Sequence, residues 1–238
     1  MKKWVFISST FIVGALIVCQ LIIFSGFNKS IMESLNINFL TEMLGVIFTF
    51  FIVERLLAKQ ENNTKKEFIK NIIHNEYIQL LNSIGKLYIT YITKNPPQTS
   101  GECSSIRDAV AKTVSKIDDY VHSNFIRSNI KVLRPVLRNQ EIQVHEEMCE
   151  YQQYCVAFKN TIKNNIDNFL LKYISKLPND VVSKLSNMNN ILLGAIFTTT
   201  IENGIYIDIT NASFDPEDFK KPLKELGCNL IDLYKYIN

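Results

Sequence analysis

The chain is poor in the residue patterns that usually carry chemistry. Of 238 residues, three are histidine, five cysteine and eight glycine. The histidines, His74, His122 and His145, are well separated in sequence. There is no Gly-rich phosphate loop, no G-x-S-x-G, no H-E-x-x-H and no C-x-x-C. These absences argue against an enzyme and against a bound cofactor. The cysteines are odd in number and lack framework spacing. Cys103, Cys149, Cys155 and Cys228 lie in the C-terminal region, where a reducing compartment would keep them as thiols. The densest candidate for a metal is His145-Glu146-Glu147-Met148-Cys149-Glu150, in which His145 and Cys149 stand at i, i+4. A zinc site needs three or four ligands with a second shell, and no matching pair occurs elsewhere. No His has Glu three positions before it, as carboxylate-bridged di-iron bundles require. An amphipathic helix with charged outer residues explains the same letters. The net charge of +3 is unremarkable.

Two long apolar runs stand out against this background, Trp4 to Phe27 and Ile37 to Leu57. The first is uncharged and would rise roughly 36 Å as a helix, against a bilayer core of about 30 Å. It is too long for an ordinary signal-peptide core, and no A-x-A-like site follows it. Leu16-Ile17-Val18-Cys19 is a poor lipoprotein box, because Ile17 and Val18 are bulky. A retained anchor is therefore expected.

The second run carries Glu42 near its start and Glu54-Arg55 near its end. Those glutamates would lie about 18 Å apart on a helix, so they cannot mark opposite bilayer surfaces. Ionisable groups inside a membrane are functional candidates, which singles out Glu42, Glu54 and Arg55. The plainer alternative is that Glu42 snorkels outward or, as a neutral acid, donates to a hydroxyl of the other helix. Glu42, Gly45 and Thr49 share a helical face, as do Ser8, Ala15 and Cys19 in the first run, and such small faces suit a hairpin or an oligomer. Lys2 and Lys3 precede the first run, while Arg55, Lys59, Lys65, Lys66 and Lys70 follow the second. The positive-inside rule places both termini in the cytoplasm of a cell bounded by an inner membrane. The expected organisation is a transmembrane hairpin over 1–58, with spans near 4–27 and 37–57, and a cytosolic domain over 59–238.

That second part reads as an α-helical bundle, making the chain all-α. Thr64-Lys65-Lys66-Glu67 has the form of a capping box and predicts a helix start. Ile69, Ile72, Ile73, Leu80, Ile84, Leu87, Tyr88 and Tyr91 continue at helical period. Lys94 to Glu102, with Pro96-Pro97 and Gly101, is the clearest break. A second helix is expected from Ser105 and a long third from Gln140 to Leu177; Pro178-Asn179-Asp180 ends it, and a fourth follows to about Phe197. Asn203-Gly204 within 201–209 predicts a small hairpin or ordered loop. Asp215-Pro216 predicts the N-cap of a last helix, bent or restarted at Pro222. Arg127, Lys131, Arg134 and Arg138 recur at i, i+4, i+7, i+11. On a continuous helix they would form a cationic stripe for anionic lipid or a nucleic-acid backbone, unless Pro135 breaks it or the stripe is simply a solvated face.

The hairpin-plus-bundle architecture, together with Thr41-Glu42-Met43-Leu44-Gly45 through Ile52-Val53-Glu54-Arg55-Leu56-Leu57, resembles the small inner-membrane effectors of bacterial antiviral defence systems, including those encoded beside retrons. The resemblance covers about a quarter of the chain. It implies a protein without catalysis that permeabilises the inner membrane when a trigger or partner releases it, killing the infected cell. It also implies homo-oligomers in the lipid bilayer and control by a reverse transcriptase with its RNA–DNA product, or by another protein from a neighbouring gene. The competing expectation is a non-catalytic membrane-anchored scaffold or interaction module.

Overall fold

The computed structural model describes residues 29–97, 103–138, 141–194, 197 and 215–237. The expected first span, 4–27, and the expected hairpin at 201–209 lie outside these residues. The chain divides into two compact units, Met1–Gln60 and Glu61–Asn238. The described residues are mostly helical. They form seven α-helices: α1 (Lys29–Asn71), α2 (His74–Thr93), α3 (Cys103–Ser115), α4 (Ile117–Tyr120), α5 (Tyr151–Tyr173), α6 (Asn179–Leu192) and α7 (Pro216–Leu233). A two-stranded antiparallel ribbon, β1 (Ile130–Arg138) with β2 (Glu141–Cys149), is inserted between α4 and α5.

Helix α1 passes through Thr64 without a start there, so the capping-box expectation fails. No Gly or Pro interrupts residues 46 to 73, and a helix already running does not need the cap. The break falls instead at Ile73, whose backbone leaves helical geometry before α2 begins at His74. Among the described residues, no helix is long and apolar enough to cross a membrane.

The second unit is built around α2. Its buried positions, Tyr77, Leu80, Leu81, Ile84 and Gly85, follow the three-four spacing of a helix face. Over the last turn the burial closes round the whole helix, from Tyr88 to Ile92. Such a helix must be covered on several sides, and α3, α5 and α7 all pack against it. Two tyrosines fix α7 along it. Tyr88 donates its hydroxyl to the Leu223 carbonyl at 2.9 Å, and Tyr77 donates to the Leu233 carbonyl at 2.9 Å. Burial holds both phenols protonated far above ordinary pH.

Helix α7 begins as its sequence predicts, with the Asp215 carboxylate accepting from the Glu217 amide at 3.0 Å and Pro216 at the first position. Pro222 does not restart it; the helix continues to Leu233. Gly227 lets α7 approach α2 and α3, since a Cβ there would meet the Val114 side chain and, at 2.8 Å, the ring of Tyr88.

The ribbon overturns two expectations. Residues 141–149, expected within the long third helix, are strand β2, and that helix starts only at Tyr151; the continuous helix expected to carry the cationic stripe gives way to strand β1. Pro135 removes a helical donor and clashes with the preceding turn, whereas an edge strand tolerates it. The β-branched Ile130, Val132, Val136, Ile142 and Val144 also favour the extended form.

Gly227→Ala is expected to destabilise the bundle, because overpacking costs about 1–3 kcal/mol against at most about 1 kcal/mol gained in helix propensity. A lowered midpoint in circular-dichroism melts of the full chain checks this; an unchanged or higher midpoint contradicts it.

Candidate functional site

Three places bear on function: the outer face of α1, the ribbon, and the junction where the ribbon joins the bundle. On α1, Glu42, Gly45, Val46, Thr49, Phe50 and Val53 line one shallow groove. Their spacing puts them on a single helical face, as the sequence predicts for Glu42, Gly45 and Thr49. Thr49 returns its hydroxyl to the Gly45 carbonyl at 2.8 Å, which satisfies it within the helix. The apolar side chains from Val46 to Leu57 are exposed around the helix rather than on one side. Val46, Phe48, Phe50, Leu56 and Leu57 each keep 60% or more of their surface accessible. Glu54 and Arg55 are exposed on the same stretch.

The ribbon breaks up the cationic stripe. Alternation in a strand sends Lys131 and Arg134 to opposite faces, Arg138 is the last residue of β1, and Arg127 sits on the 3₁₀ turn Phe125–Arg127 before the strand. Two of the cations are matched across the ribbon. Lys131 pairs with Glu146 at 2.5 Å and Arg134 with Glu147 at 2.9 Å. A single basic surface for lipid or nucleic acid is therefore not assembled. His145 and Cys149, expected one helical turn apart, lie four residues apart along β2, about 13 Å, and cannot share a metal. Among the described residues no group of three or more metal-ligating side chains occurs. Strand register places Leu133, Pro135, Val144, Ile142 and Met148 on one face, and all are exposed.

The junction holds a group that the sequence does not advertise. Helix α2 ends at Lys94, which adopts φ 62°, ψ 8°, the left-handed conformation usually left to Gly or Asn. Asn95 secures the turn by donating from Nδ2 to the Thr93 carbonyl at 3.0 Å. The Lys94 carbonyl accepts from the Lys131 amide at 2.9 Å, tying the start of β1 to the end of α2. The side chain turns inward among three aromatic rings. Its Nζ lies 3.5 Å from the ring centre of Phe125, 4.4 Å from that of Tyr151 and 5.1 Å from that of Tyr91. The amine is buried and has no hydrogen-bond acceptor among the described residues.

Around it, the Tyr91 and Tyr151 hydroxyls bond to each other, and the Cys155 thiol lies 3.9 Å from the Tyr91 hydroxyl. Tyr91 stacks on Phe158 at 4.5 Å, and Phe197 closes the cluster. Burial pushes the Cys155 thiol up to about 11 and both tyrosines well above their ordinary range.

Lys94 is governed by two opposed effects. Burial without an acceptor disfavours the ammonium by several kcal/mol. The π faces favour it, each by about 0.5–2 kcal/mol. Burial is the larger, and it lowers the amine from 10.5 to about 7. Sequence reasoning missed this site because its members come from α2, the 3₁₀ turn and α5. The one local signal was a lysine, rather than Gly or Asn, immediately before Asn95-Pro96-Pro97.

A proton binds this amine up to its ordinary 10.5 in the unfolded chain, but only below about 7 in the fold. Unfolding therefore takes up a proton between those values, and stability rises with pH there, by up to about 1.4 kcal/mol per unit. Lys94→Met is expected to remove that slope. The difference in unfolding free energy between wild type and Lys94→Met, measured from pH 7 to pH 9, should shrink as pH rises; a constant difference contradicts the assignment.

No protein-family model, curated protein or solved structure matches this chain.

Proposed function

We propose that the protein is an inner-membrane effector whose α1 segment enters the bilayer together with the first apolar run, and which breaks membrane integrity when a trigger or partner releases it. The observation that carries this reading is the exposure of large apolar side chains around α1 from Val46 to Leu57. Each such side chain gains about 1.5–3 kcal/mol on leaving water, so this stretch favours an apolar environment strongly. Its twelve residues rise only about 18 Å, well short of the roughly 30 Å hydrocarbon core. A segment of that length draws in Glu42 or thins the bilayer. Both effects suit a protein that perturbs a membrane better than one that merely rests in it. In the groove from Glu42 to Val53, Gly45 and Thr49 supply small positions that suit helix association within an oligomer. Under this reading both termini are cytoplasmic and the chain has no catalytic role. Control comes from another component, of which a reverse transcriptase with its RNA–DNA product is the form implied by the resemblance.

A second reading is a membrane-anchored interaction module. It is favoured by the exposed apolar face of the ribbon, where Ile142 is 74% accessible and Val144 and Met148 are each 60% accessible.

Expression of the chain alone in bacteria separates the two. The effector reading predicts growth arrest with entry of a membrane-impermeant dye, relieved by Glu42→Leu or by Phe50→Asp. Normal growth and permeability, both alone and during phage challenge with the neighbouring genes present, would favour the interaction module.

A further inference from the structure

We propose that Lys94 is a proton-operated latch at the root of the ribbon. With its amine neutral, the side chain stays among Phe125, Tyr151 and Tyr91, and its carbonyl holds the Lys131 amide of β1. Protonation gives the nitrogen a third donor and a full charge, in a place where the described residues supply no acceptor. The ammonium then leaves the rings for water. Because Lys94 itself is the left-handed residue that ends α2, movement of its side chain releases a backbone conformation that a lysine otherwise disfavours. The carbonyl turns with it, and β1 loses its tie to the bundle.

The surroundings support a switch of this sign. The titratable groups facing Lys94 are Tyr91 on α2 and Tyr151 and Cys155 on α5, all kept neutral near pH 7 by burial. Of the charged side chains on the adjoining elements, Lys131 on β1, Lys159 on α5 and Arg127 on the 3₁₀ turn are cations, and the acids Glu76 on α2 and Asp167 on α5 are paired with Lys172 and Lys163. Lys131 is occupied by Glu146. Glu150, just before Tyr151, is exposed. None of these supplies a buried carboxylate to hold the ammonium in place. The position also matters mechanically. Lys94 touches all three segments that meet at the ribbon's base: the end of α2, the turn carrying Phe125, and the first residue of α5. The inference rests on the bundle alone and holds whether or not the chain acts on membranes.

The test uses the full chain in lipid nanodiscs, labelled with ¹³Cε-lysine, with Lys94 assigned by its loss in Lys94→Met. The Lys94 signal should titrate near neutral pH, several units below the ordinary lysine value. Hydrogen exchange at the Lys131 amide, corrected for its intrinsic pH dependence, should be at least about tenfold more protected at pH 8.5 than at pH 6. In Lys94→Met the protection should persist at both pH values; in Lys94→Arg it should be absent at both. If Lys94→Arg does not fold, the wild-type titration and Lys94→Met decide. Titration of Lys94 near 10, or Lys131 protection that is the same at both pH values in the wild type, would overturn the latch.

Discussion

The second unit depends on one constraint: the C-terminal end of α2 is largely apolar, is buried on every side and must be enclosed. Helices α3, α5 and α7 do the enclosing, and their placement follows from what α2 presents to each. The two tyrosine hydroxyls that bond to α7 carbonyls add direction to packing that apolar burial alone would leave free to slide. Gly227 permits the approach those bonds need. The aromatic cluster of Tyr91, Phe125, Tyr151 and Phe158 completes the enclosure, and it is there that the chain has placed an amine instead of another apolar residue.

The first unit has the opposite character. Helix α1 carries large apolar side chains outward, between polar and charged residues at either end. In the bundle, apolar surface is consumed by tertiary contact; along residues 46–57 it is offered to the surroundings. A helix hydrophobic all round is ordinarily buried in protein or in lipid. The proposed function follows from that contrast, with the membrane as the surrounding phase.

Much of the bundle was legible in the sequence, because three-four periodicity survives wherever one face of a helix is buried. The α2 stripe from Leu80 to Tyr91, the helix expected from Ser105, and the Asp215-Pro216 start of α7 are cases of this. The ribbon was misread for a physical reason. Arg127, Lys131, Arg134 and Arg138 fit a helical period, while the alternation that marks a strand was blurred by Leu133 and Leu137 beside Val132 and Val136. Pro135 was the decisive residue. The Thr64 box misled because capping preferences act only where a helix is already forced to begin. Lys94 was illegible because an aromatic cage is a tertiary object, assembled from residues 91, 125 and 151 that no local pattern connects.

Under the proposed function, α1 lies in lipid over the stretch where its apolar side chains are exposed. This is tested most directly by spin labels at successive positions from 46 to 57, on the full chain with its native cysteines replaced by serine, in vesicles of bacterial lipid. Collisions with oxygen should exceed those with a water-soluble nickel chelate through this stretch, most strongly around Phe50, and the balance should reverse by Lys59. Greater access to the nickel chelate at every position would contradict it.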